Sequence, residues 1–133
     1  MSRLGPALRV RRRQLDTIAQ AIAAERTAGE LLLAAARQLA GQRGAERRLA
    51  VGAPCSAEPW FAAARSRLYA LHIDKARSDE RLARLRASAI EARARLSLLE
   101  AANAAAREAD RRTRDKAAQA ALDDRTAARW SRR

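Results

Sequence analysis

The chain has 133 residues, 28 Lys and Arg against 15 Asp and Glu, and a formal net charge of +13. Alanine fills 36 positions, and the aromatics are limited to Trp60, Phe61, Tyr69 and Trp130. That composition excludes a β-sandwich or barrel and a buried parallel sheet, and leaves long helices of Ala, Arg, Leu and Glu within at most one domain.

Glycine and proline divide the chain. Gly5-Pro6 stands at the start, and Gly41, Gly44, Gly52, Pro54 and Pro59 gather in one short stretch. From Trp60 onward there is neither Gly nor Pro. The expected elements are a helix over about residues 7–48, a connection at 49–58 and a helix over about 59–129. Ser56 reads as the N-cap of the second helix, with Pro59 in its first turn, where a missing N–H costs nothing. Gly41 and Gly44 would end the first helix early or fray it.

Apolar spacing sets the fold expected of these helices. In the first, steps of 4 and 3 run Leu4, Leu8, Arg11, Leu15, Ile18, Ile22, Glu25, Gly29, Leu32, Ala36, Leu39. In the second they run Phe61, Ala64, Leu68, Leu71, Lys75, Ser78, Leu82, Leu85, Ala89, Ala92, Leu96, Leu99. A period of about 3.5 residues held this long is the condition for a left-handed coiled coil. One break and two stripes predict an all-α protein, a long antiparallel two-helix coiled-coil hairpin with unequal arms. Arg11, Glu25, Gly29, Lys75 and Ser78 interrupt the stripes. In such a hairpin partner numbers sum to roughly 106, which brings Glu25 within about two turns of Lys75. A Glu25–Lys75 pair is one reading. Loose packing with solvated charges is the favoured one.

The arms, about 42 and 70 residues, correspond to roughly 63 Å and 105 Å of helix. The second is therefore expected to overhang by roughly 25 residues from near Asn103, along Ala106, Asp110, Thr113, Ala117 and Ala120. Such a helix cannot bury a face by itself, so it either frays or is ordered by a partner.

No catalytic constellation is present, and an enzyme is not expected. There is no glycine-rich phosphate loop. Asp79-Glu80 and Asp123-Asp124 are adjacent, hence on different helical faces, and read as solvated charge. His72 and Cys55 are the single His and Cys, too few for a zinc site or a disulfide, and no cofactor or metal is expected. No apolar run spans a membrane, and no apolar stretch follows the basic Arg3, Arg9 and Arg11–Arg13 to make a secretory signal. A cytoplasmic protein is the expectation.

The charge calls for an anionic or acidic partner. Arg9, Arg11, Arg12 and Arg13 form one basic cluster, and Arg111, Arg112, Arg114 and Lys116 another; in the expected hairpin both sit toward the open end. Trp60, Phe61, Leu68, Tyr69 and His72 crowd the turn-proximal part of the second helix. Trp60 precedes Phe61 and Tyr69 follows Leu68, so one narrow stripe cannot bury all of them. An exposed aromatic cluster is a binding-patch signal. Acidic residues scattered among the arginines, without interleaved aromatics, argue against specific nucleic-acid recognition. A protein partner leads and nucleic acid follows.

The chain resembles the flagellar FliJ family of type III export and its virulence-system counterparts over essentially its whole length. The likeness rests on Arg9-Val10-Arg11-Arg12-Arg13, on Trp60-Phe61 through Leu68, Leu71 and His72, and on Leu82-Ala83-Arg84-Leu85 through Leu99-Glu100. The first arm is shorter than is usual there, and Ala is more abundant. The resemblance implies a cytoplasmic stalk that inserts its open end into a hexameric export ATPase. Its tip would contact the cytoplasmic domain of an export-gate membrane protein, so that it meets the inner membrane through the export apparatus. The competing expectation is a basic coiled coil that binds nucleic acid or oligomerises, with the overhang zipping to a second copy.

Overall fold

A computed structural model describes residues 4–52 and 54–132, and for 54–56 the backbone alone. The described residues form two long helices, α1 (Gly5–Leu49) and α2 (Pro54–Trp130), joined through a 3₁₀ turn at Ala50–Gly52. Ala, Leu, Arg, Glu and Gln, all good helix formers, fill both helices. No described residue has a positive φ.

The connection is tighter than expected because α2 starts at Pro54 rather than near Pro59. Pro54 takes the first helical position, where its fixed φ suits the helix and no N–H is lost. Ser56 is accordingly inside α2 and is not its N-cap. Its side chain, the Cys55 thiol and the whole of Ala53 lie outside the described residues. Pro59 falls within the helix, past the position where proline is neutral. α1 runs unbroken through Gly41 and Gly44. A Cβ at either glycine would meet nothing within 4 Å, so both are open to solvent.

The chain divides into two compact units: a central one, Leu15–Glu91, and a terminal one, Met1–Gln14 with Ala92–Arg133. In the central unit, Leu15, Ile18, Ile22, Glu25, Gly29, Leu32, Ala36 and Leu39 of α1 are all buried or half-buried. So are Phe61, Ala64, Leu68, Leu71, Lys75, Ser78, Leu82, Leu85 and Ala89 of α2. The stripes read from spacing are thus the surfaces on which the two helices pack. The core is thin because alanine buries little area, and Ala36, Ala64 and Leu71 are its buried apolar residues.

In the terminal unit, Leu8 and Leu96 are buried, and Leu4, Ala92 and Leu99 are half-buried. Arg11 leaves the stripe. It is exposed, and its guanidinium donates to Gln14 Oε1 at 3.0 Å. Asn103 is the last buried residue described, at 8% exposure, and everything from 104 to 132 is exposed. No described helix is long and apolar enough to cross a membrane.

Candidate functional site

Three groups of polar or aromatic side chains stand out. The first is a polar layer inside the central unit. Glu25 Oε1 accepts from Ser78 Oγ at 2.7 Å and from Arg81 Nε at 3.1 Å, and Arg81 Nη2 lies 3.0 Å from the same oxygen. The Arg81 and Ser78 donors hold the Glu25 carboxyl below its ordinary pKa, outweighing the opposing effect of its partial burial. Lys75, the partner first considered for Glu25, instead bonds Asp79 one turn along its own helix. The layer is therefore connected rather than loose, and Arg81 is the residue that spacing alone did not name. Its signal was available: three positions past Ser78, it shares that residue's face.

Gly29 makes the close approach possible. A Cβ there would stand 3.3 Å from Ser78 Oγ and 3.8 Å from Lys75 Cε. Ser78, at 2% exposure, is the most deeply buried side chain among the described residues. Glu25, Gly29, Lys75, Ser78, Asp79 and Leu82 help line an open cavity of about 200 Å³. Among the described residues no group of His, Cys, Asp and Glu could hold a metal ion.

The second group is the aromatic stretch of α2. Trp60 and Phe61 meet edge to face, with ring centroids 5.2 Å apart and planes at 85°. Phe61 and Leu68 turn into the helix interface, half-buried, whereas Trp60 keeps 38% exposure and Tyr69 69%; His72 is exposed. The structure therefore separates the five residues, with Phe61 and Leu68 as packing and Trp60, Tyr69 and His72 as available surface. Beside Trp60 lies a groove of about 220 Å³, lined also by Leu39, Gln42, Ala63, Ala64 and Arg67. Sequence reading missed it, although two alanines next to a tryptophan mark a step in side-chain height.

The third group is the basic residues of the terminal unit. Arg9, Arg11, Arg12 and Arg13 are all exposed, as are Arg111, Arg112, Arg114 and Lys116. Arg12 Nη2 reaches Glu100 Oε1 at 2.9 Å. Arg112 and Arg111 both lean on Glu108, at 3.1 Å and 3.9 Å. Part of the positive charge is thus answered within the unit, by exposed pairs of low energetic worth.

Comparison with protein-family models, with characterised proteins and with solved structures returned no match.

Proposed function

We propose that this chain is a non-enzymatic, cytoplasmic stalk component of a flagellar or type III protein-export apparatus, built as one antiparallel coiled-coil hairpin. In this reading the Arg9–Arg13 stretch and the helix carrying Arg111–Lys116 enter a hexameric export ATPase. The Trp60–His72 stretch contacts the cytoplasmic domain of an export-gate protein. The observation that carries the reading is the end of burial at Asn103: residues 104–130 continue α2 as helix with no covered face. A solitary helix with few large apolar residues is marginal in water, and a partner that encloses it supplies the missing contacts. The hairpin itself is supported by the order of contacts in the central unit. Glu25 of α1 meets Ser78 of α2, and farther along α1 Leu39 lies beside the earlier Ala64.

The deciding experiment is co-purification with an export ATPase together with its hydrolysis rate. Binding and stimulation that depend on residues 104–132 support the stalk. A chain that neither binds nor stimulates the ATPase rejects it. The net charge of +13 favours one alternative, a basic coiled coil on nucleic acid. Duplex DNA is therefore the control. Scattered arginines without base readout give weak binding with steep salt dependence, whereas tight sequence-selective binding would establish the alternative.

A further inference from the structure

The groove beside Trp60 opens at the edge of the stripe that holds α1 and α2 together. Ala64, buried, and Leu39, half-buried, form its floor. Trp60 and Arg67, both exposed, flank it, and the exposed Ala63 lines it with a methyl alone. The tryptophan ring that walls it meets the half-buried Phe61 ring edge to face. A space of about 220 Å³ has room for one large apolar side chain, not for a drug-sized ligand.

The charge on the stretches that flank the groove is predominantly positive. On the adjoining stretch of α1 stand Arg37, Arg43, Arg47 and Arg48, with Glu46 as the opposing acid. On α2, Arg67 lines the groove, while Glu58 is already taken by Arg65 at 3.0 Å. Arg43, one turn beyond Leu39, has its Nε buried with no hydrogen-bond partner among the described residues. As a half-buried cation, Arg43 adds to the positive potential of this stretch, against which Glu46 is the acid of α1 there.

We propose that this groove docks an acidic segment of a partner protein through one bulky apolar side chain, inserted between Trp60 and Arg67 and flanked by carboxylates that meet the surrounding arginines. The apolar anchor supplies the desolvated contact and the carboxylates supply charge complementarity. A basic segment would meet the same arginines with like charge. The inference does not require the export reading, since it specifies the chemistry of the occupant and not its source.

The test uses the full chain carrying Trp130→Phe, so that fluorescence reports Trp60 alone. The probe is a synthetic peptide of about 16 residues, rich in Glu with a single central Leu, beside a version with every Glu replaced by Lys and a version with the Leu replaced by Ala. The acidic peptide with its Leu is expected to shift Trp60 emission and to bind more weakly as salt rises. The lysine and alanine peptides are each expected to bind at least about tenfold more weakly. Arg67→Glu should weaken binding about tenfold, and so should Ala63→Leu, which fills the groove at an exposed position the fold tolerates. Circular dichroism should show both variants as helical as the parent. Equal binding of the acidic and lysine peptides overturns the proposal. So does no binding of the acidic peptide at low salt, or unchanged binding in both groove variants. None of these results bears on whether the chain engages an export ATPase, which is read out separately.

Discussion

Ser78 donates its hydroxyl hydrogen to Glu25 across the α1–α2 interface at 2.7 Å, and Gly29 leaves the room for it. A serine at 2% exposure in the middle of an apolar stripe is unfavourable unless its hydroxyl is satisfied. Here the acceptor is a carboxylate that Arg81 holds in place. Such a layer pairs fully only in one alignment of the two helices, because a slip by one heptad strands both Glu25 and Ser78 against leucine. The structure therefore has a physical means of selecting register at a cost in core area.

Replacing Ser78 by Leu is expected to destabilise the protein despite adding apolar surface. The new side chain would be forced against Gly29 and would remove one of the two side chains that donate to Glu25. Overpacking of this kind costs about 1–3 kcal/mol. Thermal melts followed by circular dichroism check it. A raised melting temperature would mean that the layer has no role in alignment.

Acid should remove part of the stability. The Glu25 carboxyl has a lowered pKa because Arg81 and Ser78 donate to it. Its contribution is therefore fully present above the ordinary carboxylate pKa of the unfolded chain, and disappears as pH falls through the lower folded value. Glu25→Gln should melt below the parent at neutral pH, and the gap should close under acid conditions. A gap that stays constant across that range would show that the charge on Glu25 is not what matters.

The glycines separate backbone cost from packing. At Gly41 and Gly44 an added Cβ meets nothing, so Ala at either site should stabilise by about 0.5–1 kcal/mol through helix propensity. At Gly29 the same change brings a methyl within 3.3 Å of Ser78 Oγ. Gly29→Ala should therefore give a smaller gain than Gly44→Ala, or a loss. If the three alanine variants melt alike, the close approach at Gly29 carries no energetic weight.

The parts of the fold that were legible in the sequence follow from period, and the rest from local chemistry that offers several equal solutions. A spacing of about 3.5 residues leaves one face per helix, so Ile18, Leu71 and Leu85 could be assigned inward without a structure. The end of burial at Asn103 followed from the unequal lengths on either side of the glycine- and proline-rich stretch. The start of α2 did not, because Pro54 and Pro59 both satisfy the first-turn rule, and Ser56 is the better N-cap by composition. Arginines point outward at nearly every turn, so composition does not single out Arg81, and its spacing of three from Ser78 gains meaning only once Ser78 is known to meet Glu25. The groove at Trp60 depends on the relief made by Ala63 and Ala64 beside a ring, which no periodicity encodes.

Burial should rank substitutions on one kind of residue. Leu71 is 3% exposed and Leu31 67%. Leu71→Ala removes buried atoms and leaves a gap, at a cost of about 2–5 kcal/mol. Leu31→Ala should stay within about 0.5 kcal/mol of the parent. Chemical denaturation measures both, and the reverse ranking would put the stripe on the wrong face of the helices.

The basic residues of the terminal unit should serve binding and not folding. Arg12 and Glu100 form their pair in the open, with side chains 61% and 47% exposed, where solvent screens most of the attraction. Arg11 bonds its neighbour Gln14 along the helix face. Replacing Arg11, Arg12 and Arg13 together by Ala should therefore leave the helical signal intact and lower stability by no more than about 1 kcal/mol, with alanine's helix propensity offsetting the lost contacts. On the stalk proposal the same triple variant weakens ATPase binding and stimulation, and its gap to the parent narrows as added salt screens the parent's arginines. Trp60→Ala should leave ATPase binding unchanged. A triple variant that stays folded and still binds and stimulates the ATPase as the parent does would remove these arginines from the interface.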